Sequence, residues 1–152
     1  MSAGVLIRSV EDMNSTHSLK ALDWPLIIIL GAFTLVRPAT RIVSSQLGVS
    51  IWPPLPIALT VGITIVWVAV VILRRVERPL ITLVMSALTY GVLSILLSGI
   101  LSPILDGRLD GPLAHPIAIV PDLAVNAVWG LVAGALALGI QRVPGLRPLT
   151  GR

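Results

Sequence analysis

Two arginines, Arg37 and Arg41, lie four residues apart in a stretch whose apolar opening, WPLIIILGAFTLV, reads as the start of a membrane-crossing helix. That spacing is one helical turn, so both side chains project from one face. A charge at hydrocarbon depth costs about 2.5–3.5 kcal/mol on insertion scales, so an ionisable group there calls for a counter-charge or a ligand. The acid able to supply the counter-charge is Asp122, early in the last apolar stretch, with Asn126 one turn deeper on the same face. A guanidinium fork and a carboxylate pair through two parallel hydrogen bonds, which satisfies donors that lipid cannot. The spacing therefore predicts a polar cluster of Arg37, Arg41, Asp122 and Asn126. Two positive charges against one negative leave a surplus that suits an anion: a lipid phosphate, a solute carboxylate or an acidic residue of a partner. On the structural reading, the same pair only fixes which helices touch and in what register.

The elements that must position these residues are helices. Mean hydropathy is +0.97, and only 12% of residues are charged, against about 25% in soluble domains. A chain of 152 residues holds four spans of roughly 20 residues each and little besides. The expectation is one all-α domain, 1–152: a polytopic membrane protein with four transmembrane helices in a bundle. The spans are expected at about 24–48, 56–73, 79–101 and 117–140, with polar tails at 1–21 and 142–152. Prolines and glycines mark the breaks, at Trp52-Pro53-Pro54 and through the segment from Ser102 to Pro116. Pro38 lies inside the first span, where it frees the carbonyl of Thr34 and predicts a kink. Freed backbone groups are tolerated there when a cavity or a polar neighbour receives them.

Positive charge in short loops sets orientation. Arg74, Arg75 and Arg78 connect the second and third spans, and Arg142, Arg147, Arg152, Arg8 and Lys20 fall on the same side. That side is expected to be cytoplasmic, with both termini. The loop carrying Asp106, Arg108 and Asp110 sums to one negative charge and faces outward. The competing reading ends the first helix near Val36, which leaves Arg74, Arg75 and Arg78 outside, against the charge rule. At ~1.5 Å per residue, Arg37 and Arg41 lie roughly 20 and 26 Å from Trp24, in the outer half of a ~30 Å hydrocarbon core. Asp122 reaches about 8 Å inward from the other end, which sets the cluster between the first and fourth helices.

Other features carry a packing reading beside a functional one. Gly130 with Gly134, and Ala87 with Gly91, permit close helix approach, and Ser94, Ser98 and Ser102 continue the small face of the third span. Ser86, Thr89 and Tyr90 can line a pathway, or the hydroxyls can satisfy themselves on their own helix. Trp24 and Trp52 suit interfaces, while Trp67 and Trp129 lie deeper and suit packing. The formal charge of +4 serves orientation. No basic stripe is interleaved with stacking aromatics, so nucleic acid is not an expected partner. Zero cysteines exclude disulfides and thiol redox chemistry. The polar N-terminus lacks the basic and apolar regions of a cleavable signal peptide. His17 and His115 make no metal pair. His115 with Asp106, Asp110 and Asp122 is an outward acid–histidine grouping, read otherwise as ordinary His-Pro turn chemistry. No phosphate loop, HExxH or GxSxG occurs. No catalytic residue, metal or cofactor is expected, and the chain is not read as an enzyme.

The functional expectation is a small integral protein of the cell membrane, of the bacterial inner-membrane kind. It would be a transport component or accessory subunit whose arginine–aspartate cluster binds an anionic lipid or solute. The alternative is a structural or regulatory membrane protein whose Arg–Asp pair locks the bundle or docks a membrane partner. Expected partners are membrane lipids, further copies of the chain or a larger membrane protein.

Overall fold

The computed structural model describes residues 22–48, 54–109 and 111–143. Among the described residues there is no strand. The elements in chain order are α1 (Trp24–Phe33), α2 (Val36–Gln46), α3 (Leu55–Leu73), α4 (Pro79–Asp106), a 3-10 turn (Pro116–Ala118) and α5 (Ile119–Gln141). Four stretches are long and apolar enough to cross a membrane: Trp24–Gln46, which joins α1 and α2, Leu55–Leu73, Pro79–Leu105 and Pro116–Gln141. Expectations placed on Arg8, His17, Lys20, Trp52, Asp110, Arg147 and Arg152 lie outside the described residues.

The largest difference in extent is at the end of α4, which continues past residue 101 to Asp106 with Pro103 inside it. The proline forgoes one backbone hydrogen bond, yet the helix continues. It stops at Gly107, whose φ of 67° is the left-handed cap that glycine adopts without a steric penalty. The Asp106-Gly107 step terminates the helix, and the proline does not.

The first apolar stretch breaks between Phe33 and Val36. Pro38 has no N–H to offer the Thr34 carbonyl, and its ring crowds that oxygen. The chain responds by tightening: the amides of Thr34, Leu35 and Arg37 donate to Gly31, Ala32 and Thr34 at 3.2, 3.0 and 3.1 Å, three residues back. Arg37 thus occupies the Thr34 carbonyl that was expected to be freed. The carbonyl supplied by side chains is Leu30's, which accepts from the Thr34 hydroxyl at 3.0 Å and from the Trp67 indole at 3.2 Å. A break one turn upstream of the proline is therefore sealed by a donor from α3.

α4 is the hub, with α1 and α5 both packed on it. A Cβ on Gly130 would come within 2.6 Å of the Leu83 carbonyl oxygen and 2.8 Å of the Val84 Cα, so the α4 and α5 backbones nearly touch. A Cβ on Gly31 would come within 3.0 Å of the Ser86 carbonyl, so α1 approaches the same helix almost as closely. Small residues at the crossing are what allow such approach. Around the crossing, Leu26, Leu30, Ile63, Trp67, Val71, Leu83, Ala133 and Ala137 form the core. Trp67 stacks on Trp129 with ring centroids 4.8 Å apart, and Tyr90 meets Trp129 edge-to-face at 6.2 Å. The Trp129 indole donates to Thr64 at 3.1 Å.

One pole of the bundle gathers the basic connection. Asp23 caps α1 by accepting from the Leu26 amide at 3.3 Å, and it shares a surface cleft with Arg74, Arg75 and Arg78. The end of α5 is tied to the same pole by Gln141, which donates to the Val71 carbonyl at 3.3 Å. The end of α2, the start of α3 and the connection after α4 lie at the opposite pole.

Candidate functional site

The sequence of α2, VRPATRIVSSQ, alternates polar and apolar residues with helical period. A surface helix of a soluble protein would turn its apolar stripe inward, whereas α2 leaves its valines exposed and half-buries only Ile42 of its large apolar residues. Val36 is 40% exposed and Val43 55%, and none of its residues is fully buried. Its opposite face, with Arg37, Pro38, Thr40 and Arg41, lines a cleft of about 340 Å³. Leu55 and Leu59 of α3 and Tyr90 of α4 complete the wall. Arg37 is half-buried and Arg41 exposed. The Thr40 hydroxyl donates to the Arg37 carbonyl at 2.8 Å, which leaves the guanidinium groups as the strong donors of the cleft. Among the described residues no acid lines it.

The four residues singled out by spacing divide into two pairs. Arg37 and Arg41 share the cleft. Asp122 and Asn126 stay together on α5, where the Asn126 amide donates to the Asp122 carbonyl at 2.9 Å and is buried against Gly91 of α4. Among the described residues no ion pair within 4.0 Å joins Asp122 to Arg37 or Arg41. The cluster was expected between the first and fourth helices; the main packing of both α1 and α5 is on α4. Depth arithmetic along each helix fixes height and leaves the angle about the bundle axis open. Asp122 also has an alternative source of stabilisation. It sits in the first turn of α5, where unpaired amides and the helix dipole favour a carboxylate.

Tyr90 connects the two pairs. It is buried, lines the cleft with Arg37 and Arg41, and stands near enough to Arg37 and Asp122 to feel both charges. The sequence placed Tyr90 in a hydroxyl lane with Ser86 and Thr89. Those two donate instead to Thr82 and Met85 of their own helix, at 2.9 and 2.8 Å. The signal that separates Tyr90 is its length: its hydroxyl is too far from its own backbone to be absorbed there.

A second cleft, of about 360 Å³, adjoins the first and shares Pro38 and Arg41 with it. Here Arg41, Ser45 and Gln46 of α2 face Ser94, Ser98 and Ser102 of α4. The serine row, which sequence spacing grouped with helix packing, therefore lines open space on one side. His115 is exposed and lines neither cleft.

Two guanidinium groups and a phenol supply donors of the kind an oxyanion can accept from, and no carboxylate competes for them among the lining residues. The chain matches no protein-family model, no curated protein and no solved structure.

Proposed function

We propose that this protein is a non-enzymatic integral membrane protein, a transport component or accessory subunit, that binds an anionic group in the cleft of Arg37 and Arg41. The observation that carries the reading is the acid-free cleft on which α2 places both arginines, while Val36 and Val43 stay exposed. Insertion in a membrane is supported by the coat of large apolar side chains elsewhere: Ile29, Ile57, Ile65, Leu73, Val125 and Val128 are all more than half exposed. A contiguous apolar surface of that kind is rare on soluble monomers. The pole with Arg74, Arg75 and Arg78 is the cytoplasmic one on the positive-inside rule, with both termini beside it, in a cell membrane of the bacterial inner-membrane kind. Lipids are the first partners, with further copies of the chain or a larger membrane protein beside them.

Arg37→Gln tests this. Native mass spectrometry in mild detergent should show anionic lipid retained by the wild type and reduced at least tenfold in the variant, with the protein still folded. Equal retention in both would overturn the anion reading.

The position of Tyr90 favours a second, structural reading, in which Arg37, Tyr90 and Asp122 tie α2 to the bundle. Under it, Arg37→Gln and Asp122→Asn each lower the melting temperature, and the double variant recovers part of the loss. Strict additivity would remove this reading.

A further inference from the structure

We propose that the two clefts are halves of one ligand site, and that its ligand is a phosphate ester whose other substituent carries hydroxyl groups. The proposal rests on the anion reading above and specifies what that anion is. The clefts meet at Pro38 and Arg41, so a ligand seated on Arg37 and Arg41 extends naturally into the second space. Each volume lies within the range of small-ligand pockets, about 300–1,000 Å³.

The chemistry of the second cleft follows from its hydroxyl hydrogens. Ser94 donates to the Gly91 carbonyl at 3.0 Å, Ser102 to the Ser98 carbonyl at 2.6 Å, and Ser45 to the Ile42 carbonyl at 2.8 Å. With its hydrogen engaged, each of these serines can offer a ligand only oxygen lone pairs. Arg41 and Gln46 in the same wall supply donors, so the ligand group that satisfies both must donate to the serines and also accept. Donors of suitable size are a hydroxyl or an ammonium, and Arg41 in the same wall repels an ammonium. A hydroxyl remains. The first cleft meanwhile holds the guanidinium donors that a phosphate requires. Leu97, Leu101 and Leu105 complete the second wall and suit the hydrocarbon of an attached glycerol or acyl chain.

Phosphatidylglycerol has this arrangement. Phosphatidic acid has the phosphate without the hydroxyls, and phosphatidylethanolamine replaces the hydroxyls with an ammonium. The test titrates purified protein in nanodiscs of phosphatidylcholine with each of the three, all with the same acyl chains, reading bound lipid by native mass spectrometry. Phosphatidylglycerol should bind at least tenfold more tightly than phosphatidylethanolamine and about threefold more tightly than phosphatidic acid. Ser94→Ala/Ser102→Ala should abolish the preference over phosphatidic acid while phosphatidic acid itself still binds. Those serines bond only to their own helix, so the double variant should melt like the wild type. Arg37→Gln should lose both anionic lipids. Equal binding of phosphatidylglycerol and phosphatidic acid by the wild type, or an unchanged preference in the double serine variant, overturns the combined site and leaves the anion cleft standing. Failure of the wild type to bind either anionic lipid overturns the anion reading itself. Soluble glycerol 1-phosphate distinguishes the source. Competition at comparable concentration assigns a free phosphorylated polyol, and failure to compete assigns the lipid; both support the site.

Discussion

The two halves of α4 are built from similar residues and meet opposite treatment. From Pro79 to Gly91 the helix is gripped from both sides, by Gly31 of α1 and by Gly130 and Gly134 of α5, at distances that leave no room for a Cβ. From Val92 to Asp106 the same helix faces α2 across a cleft lined by its serines, while the connection after α4 packs against Gly99 and Ser98. The difference originates in the partners. α1 brings a glycine to the crossing, whereas α2 follows a break, presents arginines and buries no residue fully. Close packing of apolar helices depends on small residues at the contact. Open polar space arises where a helix breaks and turns charged side chains inward. The gripped half should therefore carry stability and the open half binding.

Trp67→Ala should have the largest effect, because it removes a fully buried ring stacked on Trp129 and the donor that seals Leu30. A loss of about 3–5 kcal/mol is expected, read as the drop in thermal midpoint in detergent. A small loss would mean the gripped half is held by something other than its core. Gly130→Val comes next. Its branched side chain must push against the Leu83 carbonyl and the Val84 Cα, which is backbone and cannot rotate away. Overpacking of this kind costs about 1–3 kcal/mol. Normal melting of this variant would show that α4 and α5 separate easily, and the contrast between halves would fail. Arg41→Gln should be milder still for stability, within about 0.5 kcal/mol, since Arg41 is exposed on the open half. It should nevertheless weaken binding of phosphatidylglycerol. A stability loss as large as that of Gly130→Val would place Arg41 in the fold rather than in the site.

Much of this contrast can be read from residue order. The four apolar stretches follow from hydropathy, and Gly130 and Gly134 follow from spacing, because both signals are local. The break in the first stretch is legible at Pro38, although its consequence falls at Leu30, two turns upstream. What supplies that carbonyl is Trp67, 37 residues away, and no local pattern connects the two. The end of α4 is written in Asp106-Gly107, but Pro103 is the louder signal and misleads. Arg37 and Arg41 share a cleft because helical periodicity fixes their common face. Their separation from Asp122 depends on the order of helices around the bundle, and depth along an axis carries no information about that. Tyr90 is legible as a polar residue among hydroxyls, and only three-dimensional packing brings it to the wall of the arginine cleft.

Pro38→Ala should change stability least of all these variants and still reshape the open half. The alanine restores an amide at position 38 for the Thr34 carbonyl, which Arg37 now occupies at 3.1 Å. Alanine is intrinsically favoured over proline inside a helix by about 3 kcal/mol. That gain is offset if Trp67 and Thr34 lose the Leu30 carbonyl when the Thr34 amide reclaims it. α1 already runs against α4, so a continuous helix would carry α2 along α4 and narrow the second cleft. The chain contains no cysteine, so spin labels attached at Val43→Cys and Ile104→Cys report one distance, between two exposed positions on the facing helices. That distance should shorten by several ångströms in the alanine variant, roughly a helical turn or less, and binding of phosphatidylglycerol should fall with it. An unchanged distance would assign the break to the indole docked on Leu30 and would make the proline its follower. In that case Trp67→Phe, which keeps the ring and drops the donor, should close the cleft instead.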